Sequence, residues 1–159
     1  NLTIGLGYRN FFASVLAGNQ KGFARGVQDS GVERKDLFVI GSVNTKRSAG
    51  FEQAYRDTKK GCEENLRELS VDYVDMIMLD YPGPDCDSIR GQWKAFQEML
   101  EAGQARSVAV SNFGISQLDC IVKDPKLPVP AVNQLRFSVG QYDAATSAAI
   151  VEENKRRGV

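Results

Sequence analysis

The segment VDYVDMIMLDYPGP (Val71–Pro84) contains a run of four apolar residues, MIML, with aspartate on both sides and a Pro-Gly-Pro turn behind it. A second run of this kind lies upstream in DLFVI (Asp36–Ile40). Near-continuous apolarity over so few residues is typical of strands buried on both faces of a parallel sheet. These two segments therefore predict an α/β fold.

The same unit repeats along the whole chain. Short apolar runs alternate with stretches in which apolar residues recur every three or four positions. The runs predict strands at Ile4–Phe12, Leu37–Val43, Tyr73–Leu79, Ser107–Val110 and Val129–Leu135. The stretches between them predict helices at Asn19–Ser30, Phe51–Leu69, Ile89–Leu100, Ser116–Val122 and Ala144–Arg157. Repeated β-then-α units indicate a parallel sheet, which is either doubly wound or part of an eight-stranded barrel.

Helix ends and cysteines carry further local signals. Ser88 is the expected N-cap of the helix at Ile89–Leu100, and Gly103 is its expected C-terminal stop.

The three cysteines, Cys62, Cys86 and Cys120, show no CxxC spacing, so we predict reduced thiols and no metal site.

Composition excludes several classes of protein. A chain of 159 residues without linkers or repeats predicts one domain, residues 1–159. Lys+Arg and Asp+Glu both number 20, so no net charge favours nucleic acid, and no apolar run is long enough to span a membrane. The sequence has no histidine, which excludes Ser-His-Asp and Cys-His nucleophiles. Because the first residue is Asn1, we expect either that a leader was removed or that these residues are part of a longer chain, and we expect a soluble protein, cytoplasmic or organellar after removal of a leader.

Four separated sequence segments distinguish a doubly wound sheet from part of an eight-stranded barrel. GYRNFFASVLAGNQ (Gly7–Gln20), VDYVDMIMLDYPGP (Val71–Pro84), WKAFQEMLEAGQARSVAVSNF (Trp93–Phe113) and PAVNQLRF (Pro130–Phe137) resemble segments of the aldo-keto reductase family, in the family's order. The resemblance implies a partial TIM-type (β/α)8 barrel with about five parallel β/α units, matching the family's strands two to six. It also implies hydride transfer from NADPH to a carbonyl, with a Tyr acid assisted by Lys, Asp and His.

The resemblance places each of those four catalytic positions on a residue that cannot do the same chemistry. The family's Asp falls on Phe12, its Tyr on Ala17, its Lys on Ser42 and its His on Asp80. Two of these side chains have no ionisable proton, one cannot supply a cation, and an ionised Asp80 would repel a developing oxyanion. Tyr81 is a conceivable replacement acid, but we expect it to fill the family's aromatic pocket position. The resemblance therefore predicts no catalytic residue.

Cofactor binding is only partly lost in the same comparison. Ser111, Asn112 and Gln134 match the residues with which the family holds the nicotinamide carboxamide. Small polar residues at strand ends also satisfy loop backbone groups, and we favour that role slightly. We therefore expect no cofactor, or NADPH if any. A cluster of Asp72, Asp75 and Asp80 is a remote alternative that suggests paired-carboxylate chemistry.

Five strands cannot close a barrel, so the two outer strands would expose their edges. We expect either further sequence or other protein chains to cover them. The leading hypothesis is a pseudoenzyme that acts as a structural or docking subunit of a larger assembly. One alternative is an NADP-dependent aldo-keto reductase with relocated catalytic groups. The other is a module that senses a nicotinamide nucleotide without turnover.

Overall fold

The computed structural model describes residues 2–138, 140 and 142–159, so Asn1, Val139 and Gln141 lie outside the described part of the chain. The strands are β1 (Asn10–Ala13), β2 (Phe38–Val43), β3 (Met76–Asp80), β4 (Val108–Ser111) and β5 (Asn133–Gln134). The helices are α1 (Leu2–Gly5), α2 (Gln20–Ser30), α3 (Phe51–Leu69), α4 (Cys86–Glu101), α5 (Ile115–Val122) and α6 (Ala144–Lys155). A single 3-10 turn at Arg34–Asp36 precedes β2.

The five strands form one parallel sheet in which neighbours in space are also neighbours in the chain, in the order β1-β2-β3-β4-β5. A doubly wound sheet reverses its strand order at a switch point, and this sheet does not. The sheet instead winds in one direction and curls into part of a barrel. The predicted fold class, a partial TIM-type barrel of five β/α units, is confirmed.

The two faces of the sheet have different neighbours. Outward-facing residues such as Val39 and Ile77 pack with helix residues such as Leu66, Trp93 and Leu118 in one large hydrophobic cluster. The inward-facing cluster contains strand residues only, namely Ile40, Met76, Met78 and Ala109. Helices therefore cover the outside of the curled sheet, as in a barrel.

The first and last predicted strands are too long. Ile4 lies in the short helix α1, and its carbonyl accepts a hydrogen bond of 2.9 Å from the Arg9 guanidinium. Gly7, with φ +94°, ends this turn before β1 begins. At the other edge β5 is limited to Asn133–Gln134, although backbone hydrogen bonds to β4 already begin at Ala131, whose N–H donates to the Val108 carbonyl at 2.8 Å. Pro128 and Pro130 have no N–H to donate, so the ladder does not extend further back.

The predicted N-cap of α4 is wrong by three residues, whereas its predicted end is correct. The Asp85 carboxylate accepts a hydrogen bond of 2.8 Å from the backbone N–H of Ser88, so Asp85 is the cap. Gly103 has φ +69°, and its N–H donates to the carbonyl of Leu100. A glycine in this left-handed conformation ends α4 at the predicted position.

The prediction of reduced cysteines holds only for buried Cys62 and is wrong for the other two. Cys86 and Cys120 form a disulfide, with their Cα atoms 5.3 Å apart, within the range that such a bond allows. Cys86 begins α4 and Cys120 lies in α5, and these two helices pack side by side. The 34-residue separation gave no signal because only helix packing brings the two sulfur atoms together.

No helix in the described residues combines the length and the apolarity needed to cross a membrane. Within the same residues, no three Cys, Asp or Glu side chains are placed to bind a metal ion together.

Candidate functional site

The residues singled out from sequence lie at the carboxyl ends of the strands, where barrels of this type place their active sites. Phe12 of β1 pairs in register with Ile40 of β2, and Ser42 of β2 pairs with Met78 of β3. Because side chains alternate along a strand, Phe12, Ser42 and Asp80 share the inward face. Phe12 is 37% exposed there, whereas Ser42 and Asp80 are buried.

The Ser42 side chain binds the loop that follows β1. Its hydroxyl oxygen accepts a hydrogen bond of 3.0 Å from the backbone N–H of Val15, and only 1% of the residue is exposed. In the same loop, the Ser14 hydroxyl oxygen accepts from the N–H of Ala17. Ala17 itself is exposed and presents only a methyl group. The structure therefore brings the loop carrying Ala17 against Ser42, with no titratable group from either.

Asp80 is the single ionisable group among the four positions. It is 7% exposed, and burial raises the pKa of its carboxyl above the usual range. The Ser111 hydroxyl and the Lys46 ammonium favour the charged form and lower the pKa, but they offset the burial only in part. The sequence gave no reason to expect a raised pKa here, because the cause is the packing around the side chain.

We expect the substitution Asp80→Asn to stabilise the protein at neutral pH. A raised pKa means that ionisation in the folded state carries a cost, which is absent below pH 4 and grows as pH rises through the folded-state pKa. Chemical denaturation at pH 4 and pH 7.5 should show the gain shrinking toward the acidic value. Exposed Asp72→Asn is the control, and an Asp80→Asn variant less stable than wild type at pH 7.5 would contradict this account.

The three residues matched to carboxamide binding are brought together. The Asn112 side-chain amide donates to the Ser111 hydroxyl oxygen at 2.9 Å, and the backbone N–H of Asn112 donates to the Gln134 carbonyl at 2.9 Å. Asn112 has φ +63°, a conformation that β-branched residues avoid and asparagine tolerates. The Gln134 side chain is exposed on the strand edge. Amide and hydroxyl groups in this arrangement fit a carboxamide, which needs one donor and one acceptor.

Lys46 is a site residue that the sequence reasoning missed. Its Nζ atom lies 4.7 Å from the centre of the Tyr81 ring, close enough for a cation–π contact. Tyr81 is half-buried with φ +76°, so its predicted packing role is consistent with its position. Lys46 comes from the loop between β2 and α3. Sequence spacing does not predict which side chain of a loop will contact a residue that follows the neighbouring strand.

A buried polar network supports these loops and was also missed. Gln92 of α4 is fully buried; its side-chain oxygen accepts from the N–H of Gly83 at 2.9 Å, and its nitrogen donates to the Thr45 hydroxyl at 3.0 Å. The Thr45 hydroxyl in turn contacts the Thr58 hydroxyl at 2.7 Å. One glutamine thus fixes the loop after β2 and the loop after β3 at the same time. Its helical spacing beside Ile89 and Trp93 gave no hint of this role.

The three aspartates considered for paired-carboxylate chemistry do not form a cluster. Asp75 immediately precedes β3 and Asp80 ends it, so they are about 16 Å apart along the strand and point to opposite faces. The Asp75 carboxylate is occupied by Arg34 at 2.8 Å and Arg106 at 3.0 Å. Asp72 is exposed in the preceding turn. The paired-carboxylate alternative is therefore wrong.

The family model described as "Aldo/keto reductase family" matches residues 7–155, nearly the whole chain. The chain belongs to this family. The glyoxal reductase of Bacillus subtilis (strain 168) is 31% identical over 131 residues, which cover 82% of this chain and 45% of that protein. The aldo-keto reductase chain thus spans about half the length of the curated relatives it matches.

Solved structures of aldo-keto reductases share the fold. The crystal structure of a putative 2,5-diketo-D-gluconic acid reductase B superposes with a TM-score of 0.83 at 24% identity, over 99% of this chain and 52% of that one. The crystal structure of an aldo-keto reductase complexed with NADPH gives a TM-score of 0.79 at 23% identity, over 97% of this chain and 47% of that one. At these identities the likeness establishes the β/α-barrel architecture of the aldo-keto reductase chain.

Proposed function

We propose that this chain is a non-catalytic member of the aldo-keto reductase family that serves as a structural or docking subunit of a larger protein assembly. The observation that carries the proposal is Ser42, whose buried hydroxyl is hydrogen-bonded to the Val15 N–H at the expected position of the catalytic lysine. A fully buried side chain with a structural partner cannot approach a substrate.

The other three positions support the same proposal. Reduction of a carbonyl by hydride transfer needs a group that protonates the developing alkoxide, and a cation that makes this group more acidic. Phe12 and Ala17 provide neither, and Asp80 places a carboxyl where the family resemblance expects an imidazole. Removing a single such group commonly costs about two to four orders of magnitude in rate.

The open sides of the sheet support a docking role. Both β1 and β5 pair on one side only among the described residues, and unpaired strand edges invite pairing with another chain. Large apolar side chains lie exposed near them, including Phe12 and Phe38 at one edge and Val132 and Phe137 at the other. Other protein chains that cover these edges are the partners we propose.

A second candidate is an NADP-dependent reductase with relocated catalytic groups. Lys46 above the Tyr81 ring, beside buried Asp80, is the specific observation that favours it, since a phenol, an ammonium and a carboxyl meet there. A third candidate is a nicotinamide-nucleotide-sensing module, which the grouping of Ser111, Asn112 and Gln134 favours. When bound, NADPH would supply the hydride, and these three residues would hold and orient its carboxamide.

We expect the purified protein to oxidise NADPH in the presence of glyoxal at a rate at least about four orders of magnitude below that of an active reductase. Absorbance at 340 nm with NADPH and glyoxal measures turnover, and NADPH fluorescence measures binding. Glyoxal is the test carbonyl because a relative is a glyoxal reductase. Turnover at a normal reductase rate that Tyr81→Phe abolishes would refute the pseudoenzyme proposal in favour of the second candidate.

Binding of NADPH without turnover, weakened by Gln134→Ala, would favour the sensor.

The docking role is tested separately by light scattering of the purified protein and by affinity capture from its source. A stable monomer that captures no partner would contradict the docking proposal while leaving the absence of catalysis untouched.

A further inference from the structure

A cleft on the outside of the sheet separates α2 from α3. α3 packs extensively along α4 but touches α2 much more sparsely. The resulting cavity has a volume of about 790 Å³, within the range of small-molecule sites. Val39 of β2 and Leu69 at the end of α3, both almost fully buried, form its floor. Apart from Arg34, which holds the Asp75 carboxylate, no residue named in the candidate site lines this cleft.

The walls of the cleft are apolar. Phe23 and Val27 of α2, and Val71 just after α3, are only partly buried although they pack against the main hydrophobic cluster. The Phe23 ring lies against Phe11 of β1, with ring centres 5.4 Å apart, which holds this wall in place. An apolar surface that neither helix covers would gain free energy if a ligand removed it from water.

The rim of the cleft carries one cation without an ion-pair partner among the described residues. Of the other three cations that line it, Lys21 pairs with Glu68 at 3.2 Å, Arg34 with Asp75 at 2.8 Å and Arg67 with Glu64 at 3.9 Å. Arg25 is exposed and forms no ion pair with any described residue. The rim therefore presents one unpaired positive charge beside the apolar walls.

We propose that this cleft binds a single-chain amphiphilic anion, a molecule with an acyl tail and a carboxylate head. The tail would lie along the partly exposed walls formed by Phe23, Val27 and Val71, and the head would meet Arg25 at the rim. An α-helix of a partner is about 10 Å across and is too wide for the space between two neighbouring helices. A flexible acyl chain is narrower. The site is independent of whether the protein has catalytic activity.

Calorimetric titration of dodecanoate, kept below its micellar concentration, into the purified protein tests the proposal. We expect saturable binding of one dodecanoate, weakened about tenfold by Arg25→Glu through loss of the ion pair with the head. Lys126→Glu makes the same charge change on an exposed residue outside the cleft and should leave binding unchanged. Dodecyltrimethylammonium, with the same tail and the opposite charge, should bind more weakly than dodecanoate.

Ala24→Trp separates the cleft from the open inner face of the sheet, which is also apolar. Ala24 lines the cleft from α2, so an indole at this position fills the space and should abolish binding. Circular dichroism checks that the variant remains folded, and Arg25→Glu decides the matter if it does not. Binding that survives both substitutions at wild-type affinity, or no binding up to the solubility limit of dodecanoate, would overturn the proposal.

Discussion

The substitution Gly91→Ala is expected to destabilise the protein by about 3 kcal/mol, equivalent to a fall of roughly 10 °C in Tm. Gly91 lies inside α4, and a Cβ atom there would overlap the backbone carbonyl oxygen of Phe51, with the carbonyl carbon only 2.9 Å away. The obstacle is the backbone at the start of α3, which cannot rotate aside as a side chain can. Thermal and urea denaturation measure the loss.

Gly22→Ala is the matched control and should change stability in the opposite direction. Gly22 lies in α2, and no atom lies within 4 Å of a Cβ built on it. Alanine is favoured over glycine within a helix by about 0.8–1.0 kcal/mol, and nothing opposes that gain here. If Gly91→Ala proved as stable as Gly22→Ala, the close approach of α3 to α4 described here would be wrong.

Asp75→Asn is expected to cost about 2–3 kcal/mol, a little below the range for fully buried ion pairs because Arg106 is 60% exposed. The Asp75 carboxylate lies between two guanidinium groups, Arg34 and Arg106, and also accepts a hydrogen bond of 2.9 Å from the N–H of Val39. Asparagine keeps one acceptor oxygen and turns an NH2 group toward a guanidinium donor. One arginine would then lose its partner, and β2 would lose part of its attachment to β3.

Asp72→Asn tests whether this cost belongs to the buried position. Asp72 lies three residues earlier, is exposed, and forms no ion pair with any described residue, so its substitution should change the free energy of unfolding by less than about 0.5 kcal/mol. Urea titration of both variants under identical conditions gives the comparison. Equal losses for the two variants would mean that the arginine pair contributes nothing specific.

The middle of the fold was predictable because its signals are local. β3 and β4 are buried on both faces and β2 is buried over most of its length, so their runs are apolar at nearly every position and their boundaries fall within a few residues of the prediction. The edges were less predictable. β1 and β5 each have one paired neighbour and weaker apolar runs, so prolines, glycine and the Arg9 hydrogen bond decide where they begin and end.

The sequence predicted that the candidate site residues lie at the strand ends, where the structure places them, but it did not predict their electrostatics. Sequence position placed Ser42 and Asp80 at the right ends of the right strands. It could not show that the Ser42 hydroxyl is used by Val15, or that Lys46 folds over Tyr81. These contacts join residues that are distant in sequence, and no periodicity relates them.

The sequence by itself determined that this chain is an array of aldo-keto-reductase-type β/α units and that it contains no histidine. Both facts depend on residue identity and short-range order, which a sequence records directly. Only the tertiary structure decided the Cys86–Cys120 bond, the raised pKa of Asp80 and the cleft between α2 and α3. Each of these depends on the distance or burial of groups from separate elements, and such quantities exist only once the helices have packed on the sheet.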